Sequence, residues 1–186
     1  LTGTIFTVNS GTTAIRVPEP DSKMRFWRNT SIATLASGQT ATLPSGTLGY
    51  EWDEELDNGV RPAGLVRLST TTASGVDVLL DYGSTYGAGT ATHRLTLYRH
   101  SSGALVFGAG TVQWSWGLDS NHDRGSAAPD GRMQQATVNL FADMGVQPDT
   151  LRSGLVAATA SADNAPPIST ITSPAAGSTV QSGSPV

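Results

Sequence analysis

Gly108–Asp119, with the sequence GAGTVQWSWGLD, is the stretch that decides the fold. Its residues predict a buried strand that ends in a polar loop at Gly117. Trp114 and Trp116 are two positions apart, so a strand would direct both side chains toward the same face of its sheet. Two large aromatic side chains on one face must either pack against another layer of the domain or bind a ligand.

The residues that precede this stretch predict a β-hairpin. Thr92–His100 alternates with a period of two, Ser101–Gly103 has the composition of a turn, and Ala104–Phe107 is apolar again. Short apolar runs between glycine-rich connections predict further strands at Thr4–Val8, Ala14–Val17, Gly49–Asp53, Ala63–Leu68 and Val76–Leu80. The sequence therefore predicts a strand-rich domain.

Asp130–Met144 has the most regular helical pattern in the chain. Residues recur there at every third or fourth position and form one stripe: Met133, Ala136, Thr137, Leu140, Phe141 and Met144. Asp130 is suited to the N-cap, and Gly145 is suited to ending the helix, with Pro148 just beyond it. We expect this helix to pack on the sheet. A second, shorter helix is predicted over Lys23–Leu35.

The composition excludes several classes of protein. Charged residues make up 14% of the 186 residues, against about 25% in a typical soluble protein, and the net charge is −4. Because no basic stripe could neutralise phosphates, nucleic acid is not an expected partner. No apolar run approaches the roughly 20 residues of a membrane-spanning helix. The chain has no cysteine, which excludes disulfides, thiolate nucleophiles and thiolate-bound metals.

Several segments resemble the C-terminal part of the domain found in the large, or beta, subunit of N,N-dimethylformamidase and its secreted relatives. The matching segments are His93–Arg99, Gly103–Asp119 and Met133–Gly145, with Lys23–Thr30 and Leu48–Asp53 further upstream. The resemblance covers residues 1–151. It implies a glutamine-amidotransferase-like, flavodoxin-like α/β fold, of which these residues form the strand-rich second half with a C-terminal packing helix.

The composition changes after residue 151. Residues 152–167 are small, polar and proline-bearing, which predicts a linker. Residues 168–186 resemble the start of a truncated immunoglobulin-like module. We therefore expect a fragment of a secreted, extracellular bacterial multidomain protein. An incomplete parallel sheet would leave an open edge, so the expected partners are the missing N-terminal half of the same domain or a second copy of the chain.

The acidic run Glu51–Asp57 is the first candidate site. On a strand over Gly49–Asp53, the carboxylates of Glu51 and Asp53 would share one face, where two carboxylates can bind a hard cation or divide acid and base roles. Charged runs are also common on solvated surfaces that bind nothing. The dimethylformamidase resemblance implies a mononuclear iron held by two tyrosinates and one glutamate, and it aligns Glu51 with that glutamate.

The loop that begins at Asp119 is the second candidate. Its oxygen-bearing side chains follow the first, third, fifth and twelfth positions of a calcium loop: Asp119, Asn121, Asp123 and Asp130. Two departures weaken the match, because Gly125 falls one position late and Asp130 is shorter than the usual bidentate glutamate. A polar turn followed by a helix N-cap explains the same residues.

The histidines and hydroxyl groups predict no further centre. His93 and His100 are seven residues apart, so a continuous strand would place them on opposite faces, and His122 lies in a loop. No spacing typical of a histidine metal site occurs. No Gly-x-Ser-x-Gly motif marks a nucleophilic serine.

Aromatic residues offer a different kind of site. Exposed tyrosine and tryptophan can stack on sugar rings, which makes Tyr82 and Tyr86, in a glycine-rich loop, candidate binding residues. For Trp114 and Trp116 we favour core packing, because large aromatics carry much of the burial in a small domain. The resemblance does not assign the iron-binding tyrosines to Tyr82, Tyr86 or Tyr98; they would come from the missing half.

Two functions of different classes remain open at this point. The chain is either a fragment of a metal-dependent amide hydrolase that is inactive on its own, or a non-catalytic extracellular module that binds a carbohydrate or a surface. The ligands expected are accordingly iron in the full-length protein, calcium, a small amide or a carbohydrate.

Overall fold

The computed structural model describes residues 2–9, 11–81, 83–124, 128–163, 165, 168 and 170–183. Within them the chain forms short β-strands and a single helix longer than about one turn. The strands are β1 (Ile5–Val8), β2 (Thr12–Thr13), β3 (Arg16–Pro18), β4 (Thr40–Thr42), β5 (Leu48–Gly49), β6 (Trp52–Glu54), β7 (Val66–Arg67), β8 (Thr71–Leu79), β9 (Tyr86–His93), β10 (Thr96–Arg99) and β11 (Leu105–Gly108). The α-helices are α1 (Glu19–Ser22) and α2 (Gly131–Asp143), and 3₁₀ helices cover Arg25–Trp27, Ser31–Thr34 and Trp114–Gly117.

Every strand pairing in the described residues is antiparallel. The largest sheet has the order β6-β1-β8-β9, a second has the order β11-β10-β7, and β2 with β5 and β3 with β4 form two-stranded ribbons. The β8–β9 hairpin is interrupted at Gly75, where the register shifts and φ is 72°. A backbone with positive φ favours glycine, which has no Cβ to clash.

The prediction of a strand-rich domain is confirmed, since strands far outnumber helices along the described chain. A flavodoxin-like sheet is parallel, with helices on both faces. The described strands show no such parallel pairing, so this finer part of the predicted fold is not confirmed.

The predicted strand through the two tryptophans is wrong beyond β11. Strand β11 ends at Gly108, φ is 58° at Gly110, a single bridge joins Thr111 to Trp52, and Trp114–Gly117 forms a 3₁₀ helix. Such a helix has about three residues per turn, so the two tryptophans point in different directions. A Cβ at Gly117 would lie 2.1 Å from Met133 Sδ, which shows how closely α2 packs on this turn.

The predicted helix over Lys23–Leu35 is also wrong. The chain there forms two separate 3₁₀ helices, and Asn29 between them has φ of 61°. A left-handed residue ends a right-handed helix, and Asn is one of the few residues other than glycine that adopt this conformation readily. Met24 and Arg28 are extended at the ends of the first 3₁₀ helix, which breaks the periodicity further.

The C-terminal helix is confirmed with its predicted caps. The carboxylate of Asp130 accepts hydrogen bonds from the backbone N–H groups of Arg132 and Met133, and Gly145 has φ of 82° just after the helix. The predicted apolar stripe is partly wrong, because Phe141 and Met144 are 46% and 41% exposed. The polar residues Gln135 and Asn139 are buried instead of Phe141 and Met144. The reason is that α2 packs on the backbone of Arg25–Trp27 rather than mainly on a sheet.

One apolar core joins the sheets to α2. Its largest fully buried side chains are Trp27, Trp52, Ile15, Ile32, Leu48, Leu68, Leu95 and Met133. Burial of each such side chain contributes about 1.5–3 kcal/mol to the free energy of unfolding. The indole N–H of Trp27 donates to the Leu68 carbonyl oxygen at 2.8 Å, so its burial leaves no unpaired donor.

The described residues after α2 contain no strand or helix. The stretch 155–159 nevertheless lies on α2, where Leu155 and Ala158 pack against Val138 and Ala142. Further along, Ile168 and Ile171 are 95% and 80% exposed. Among the described residues, no helix has the length and apolar character needed to cross a membrane.

Candidate functional site

Glu51 and Asp53 lie at the rim of an open cavity of about 350 Å³. The predicted strand over Gly49–Asp53 is divided into β5 and β6, and exposed Glu51 lies in the bend between them. Asp53 is half-buried, and its carboxylate accepts a hydrogen bond from Thr4 Oγ1 at 2.7 Å. The other residues that line the cavity are Phe6, Gly110, Thr111 and Val112.

An iron ligand set is not assembled by the described residues alone. They contain no group of three or more histidine, cysteine, aspartate or glutamate side chains that could hold a metal ion. Glu51 is a single exposed carboxylate, and Asp53 beside it is already bound by Thr4. The iron implied by the resemblance therefore does not fit these residues without ligands from elsewhere.

A buried ionic cluster at Glu55 is the feature that sequence reasoning missed. The side chain of Glu55 is 1% exposed, and three guanidinium groups surround it. Arg67 Nε lies 2.5 Å and Arg94 Nε 3.4 Å from Oε2, whereas Arg61 Nε lies 2.9 Å from Oε1. No sequence motif joins these four residues: Glu55 and Arg61 lie in the loop after β6, Arg67 lies on β7, and Arg94 lies in the loop after β9.

The arginines of this cluster have different electrostatic surroundings. The hydrogen bond from Arg67 to Glu55 raises the pKa of Arg67, although burial opposes it. Burial lowers the pKa of Arg94 from its usual value, and the neighbouring charge of Arg67 adds to that effect. Arg94 Nη1 also donates to Thr70 Oγ1 at 2.5 Å, and that hydroxyl donates to Asp21 Oδ2 at 2.7 Å. Asp21 is thus the second carboxylate near the arginines.

The predicted calcium-loop residues make separate local contacts. Asp119 Oδ1 accepts a hydrogen bond from the backbone N–H of Asn121 at 2.7 Å, and exposed Asp123 lies 3.5 Å from Arg124. Asp130 caps α2 and pairs with Arg132 Nη2 at 2.6 Å. Among the described residues, which do not include 125–127, the three carboxylates of this loop do not form a metal-binding group.

The electrostatic environment of Asp130 suits its role as the N-cap of α2 and the ion-pair partner of Arg132. Burial alone would raise the pKa of Asp130, but the hydrogen bonds and the charge of Arg132 outweigh it and hold that pKa below its usual value. Both carboxylate oxygens bond to Arg132, and Oδ1 also accepts the N-cap hydrogen bonds. The carboxylate is therefore ionised and fully engaged at neutral pH.

The three histidines lie in unrelated places. His93 is fully buried, and burial lowers its pKa to about 4, while its Nε2 lies 2.9 Å from the Ala109 carbonyl oxygen. His100 is exposed near Ser102. His122 stacks on Trp116 with ring centroids 4.6 Å apart. No group of three or more potential metal ligands in the described residues includes any of them.

The tryptophans are core residues, as we favoured for Trp114 and Trp116. Trp116 is 8% exposed, and half-buried Trp114 packs against the stacked pair of Phe26 and Phe107. Tyr86 is half-buried at the start of β9, where it pairs with Leu79. Tyr82 lies outside the described residues, so the Tyr82–Tyr86 binding surface stays a prediction.

Comparison with known proteins identifies the family. Neither the curated proteins nor the solved structures gave a match. The family model described as "N,N-dimethylformamidase beta subunit-like, C-terminal" matches residues 1–126, a range that holds the acidic run, the Glu55 cluster and all eleven strands. Because the match spans more than half of the sequence, the chain belongs to the N,N-dimethylformamidase beta subunit-like, C-terminal family.

Proposed function

We propose that this chain supplies one carboxylate, that of Glu51, to an amide-hydrolysing iron centre in a secreted, extracellular multidomain protein. The remaining ligands come from outside the described residues, and the chain does not hydrolyse amides on its own. Family membership supports the amide-hydrolase part of this proposal. The position of Glu51 at the rim of an open cavity supports the choice of ligand.

The choice of Glu51 rests on how the carboxylates of the acidic run differ in their contacts. Asp53 is bound by Thr4, Glu54 accepts a hydrogen bond from the backbone N–H of Thr92, and Glu55 is buried. Glu51 has no such partner in the described structure and faces solvent at the cavity. It is therefore the carboxylate of the cavity that an incoming cation could reach without breaking an existing contact.

The chemistry of the described residues is limited by the same observation. A bound metal in such a centre would polarise the amide carbonyl and activate a water molecule. A lone exposed carboxylate does not retain a metal ion against water, because structural and catalytic sites use three or more protein ligands. We assign no catalytic step to the described residues, and the chain acts as one wall of a site completed elsewhere.

Iron content and dimethylamine release test the proposal. The two samples are the 186-residue chain and the full-length protein, and each is incubated with N,N-dimethylformamide. We expect iron and activity in the full-length protein only, with both lost in Glu51→Ala. Asp57→Ala is the matched control, because Asp57 is an exposed carboxylate of the same run that does not line the cavity. Absence of iron from both samples, or activity of the chain alone, would overturn the proposal.

The alternative of a non-catalytic extracellular module that binds a carbohydrate or surface stays a prediction. The observation in its favour is that no metal-holding group is complete within the described residues. Binding to a glycan array, and its loss in Tyr86→Ala, would favour this alternative over the hydrolase.

Calcium binding by Asp119, Asn121, Asp123 and Asp130 also stays a proposal. Binding of an ion to the folded state alone raises the melting temperature. An increase on adding calcium, absent with magnesium and lost in Asp123→Ala, would support it.

The flavodoxin-like character of the larger domain, and its completion by a missing half or by a second copy, are further proposals. Strand β9 lies at the edge of the largest sheet, so another chain could pair with it. Light scattering of the purified chain across concentrations tests the second copy.

A further inference from the structure

A second cavity lies on the other side of β1 from Glu51. It has a volume of about 260 Å³. Ile5 lines this cavity whereas Phe6 lines the cavity at Glu51, as expected for successive residues of a strand. Gly3 and Thr4, just before β1, also line it, and the remaining walls come from the loop between β6 and β7. The residues of that loop are Leu56, Asn58, Val60, Arg61 and Pro62.

The walls of this cavity are mainly apolar, with Thr4 and Asn58 as polar members, and they are open to solvent. Leu56 is 44% exposed, Val60 is 72% exposed and Ile5 is 37% exposed. Apolar side chains grouped around a concave surface, with one charged group among them, are typical of a site for a small amphipathic ligand.

The charged group is Arg61, and it belongs to the cluster at Glu55. Three guanidinium groups face two carboxylates there, those of Glu55 and Asp21, so one positive charge is not balanced within the cluster. Arg67 and Arg94 both pair with Oε2 of Glu55, whereas Arg61 pairs with Oε1. Arg61 is the arginine of the cluster that lines the cavity, and its side chain is partly exposed.

Arg61 pairs with Glu55 at close range but without a hydrogen bond of good geometry. Its Nε lies 2.9 Å from Glu55 Oε1, yet that buried oxygen accepts no hydrogen bond from any described residue. The pair is thus aligned by charge and not by hydrogen-bond geometry. A guanidinium group has five N–H donors, and its fork can bind a second carboxylate while it stays next to the first.

We propose that this cavity binds a small monocarboxylate with an unbranched apolar chain. The carboxylate pairs with Arg61, and the chain lies on Ile5, Leu56 and Val60. The cavity, of about 260 Å³, is small, and we take hexanoate as the probe for this class of ligand. The proposal is independent of the iron site proposed for Glu51, because the two cavities share no lining residue.

Isothermal titration calorimetry of the chain with hexanoate is the first test. We expect a dissociation constant on the order of 1 mM, which weakens as salt is added because part of the attraction is between exposed charges. Hexan-1-ol, which keeps the chain without the charge, and acetate, which keeps the charge without the chain, should each bind about tenfold more weakly or worse.

Two variants locate the site. Arg61→Gln should weaken hexanoate binding about tenfold or more, whereas Arg152→Gln, at an exposed arginine outside the cavity, should leave it unchanged. Val60→Asp adds a repelling carboxylate at an exposed position and should also weaken binding about tenfold. It covers the case in which Arg61→Gln does not fold.

Each outcome of these experiments either supports the proposal or overturns it. Weaker binding in both variants, with the control unchanged, supports the proposal. No binding of hexanoate to the wild-type chain, equal binding of hexan-1-ol, or unchanged binding in Val60→Asp would each overturn it. None of these results bears on the iron content used to test Glu51, so the two proposals fail independently.

Discussion

The cluster at Glu55 and the polar network of α2 are both buried, and they differ in how completely their polar atoms are paired. In the α2 network, Asn139 Nδ2 donates to the carbonyl oxygens of Phe26 and Arg28, at 2.9 and 2.6 Å. The carboxylate of Asp143 binds Arg28 through both of its oxygens. In the Glu55 cluster, by contrast, Oε1 accepts no hydrogen bond from a described residue.

The unpaired atoms are confined to the family-matched residues. The buried side-chain atoms that lack a hydrogen-bond partner in the described structure are Thr7 Oγ1, Glu55 Oε1, His93 Nδ1 and His122 Nε2, and all of them fall within residues 1–126. The α2 network spans the end of that range, because Asn139 and Asp143 lie beyond it and their partners Phe26 and Arg28 lie within it. A fully paired network fixes one conformation, whereas an incompletely paired one leaves groups able to bind a ligand. The family-matched residues are therefore the place to look for function.

Asn139→Ala should give the largest effect. The change takes this donor from the buried carbonyl oxygen of Phe26 and the half-buried carbonyl oxygen of Arg28, and it removes one of the two acceptors of Gln135 Nε2. We expect the free energy of unfolding to fall by about 3 to 4 kcal/mol. Urea unfolding measures it, with Asn121→Ala, at an exposed loop position, as the control that should stay within about 0.5 kcal/mol. A small loss at Asn139 would contradict the view that this network is structural.

Glu55→Gln should have the next largest effect. It removes the buried charge that faces three arginines and keeps the shape of the side chain. We expect a loss of about 2 to 3 kcal/mol in urea unfolding, below the full value for a buried pair because the arginines are partly exposed. Asp57→Asn makes the same chemical change at an exposed site and should be close to neutral. Equal stability of the two variants would show that the cluster contributes nothing.

His93 should make the fold sensitive to acid. Its pKa is about 4 when folded, below the ordinary value of about 6.5, because burial disfavours the charged imidazole. As pH falls below about 6.5 the unfolded chain binds a proton that the folded chain does not, so stability decreases until about pH 4. Between about pH 7 and about pH 5 we expect a loss of about 2 kcal/mol from this group.

The measurement is urea unfolding at several pH values. His93→Gln should flatten the pH dependence, whereas His100→Gln, at an exposed histidine, should leave it unchanged. An unaltered slope in His93→Gln would rule out this group as its source.

Asp130→Ala should have the smallest effect, about 1 kcal/mol, because it removes the N-cap of α2 and the partner of Arg132 but leaves the packing of the helix intact. Asp149→Ala, at an exposed position after the helix, is the control. A loss as large as that of Asn139→Ala would mean that the end of α2, and not its buried amides, fixes the network.

Helix α2 could be predicted because all of its signals are local: a capping carboxylate, a regular repeat and Gly145. The exposed positions of Phe141 and Met144 could not, because periodicity does not reveal what covers a helix. Trp114 and Trp116 were misassigned for a related reason. Their spacing suits a strand. The positive φ at Gly110, where the direction of the chain changes, cannot be recognised from the pattern of apolar residues.

The candidate site was predicted only in part. The acidic run was recognised, and Glu51 was singled out by the family resemblance. The buried residue of that run, Glu55, was not, because Arg94 comes from a distant loop and the spacing of Arg61 and Arg67 does not show that they face Glu55. Ion pairs between distant positions depend on the complete fold and cannot be obtained from local patterns.

The way residues 156–159 lie on the domain has a consequence for comparing relatives. Gln135 bonds to both the N–H and the carbonyl oxygen of Val156, and the Thr159 carbonyl oxygen accepts from Arg28. The domain holds this segment as a receptor holds an extended peptide, through its main chain. Apart from the small buried Ala158, its side chains are therefore free to diverge, whereas a proline at position 156 would remove the donor. Sequence identity in this segment is a poor guide to whether a relative keeps it in place.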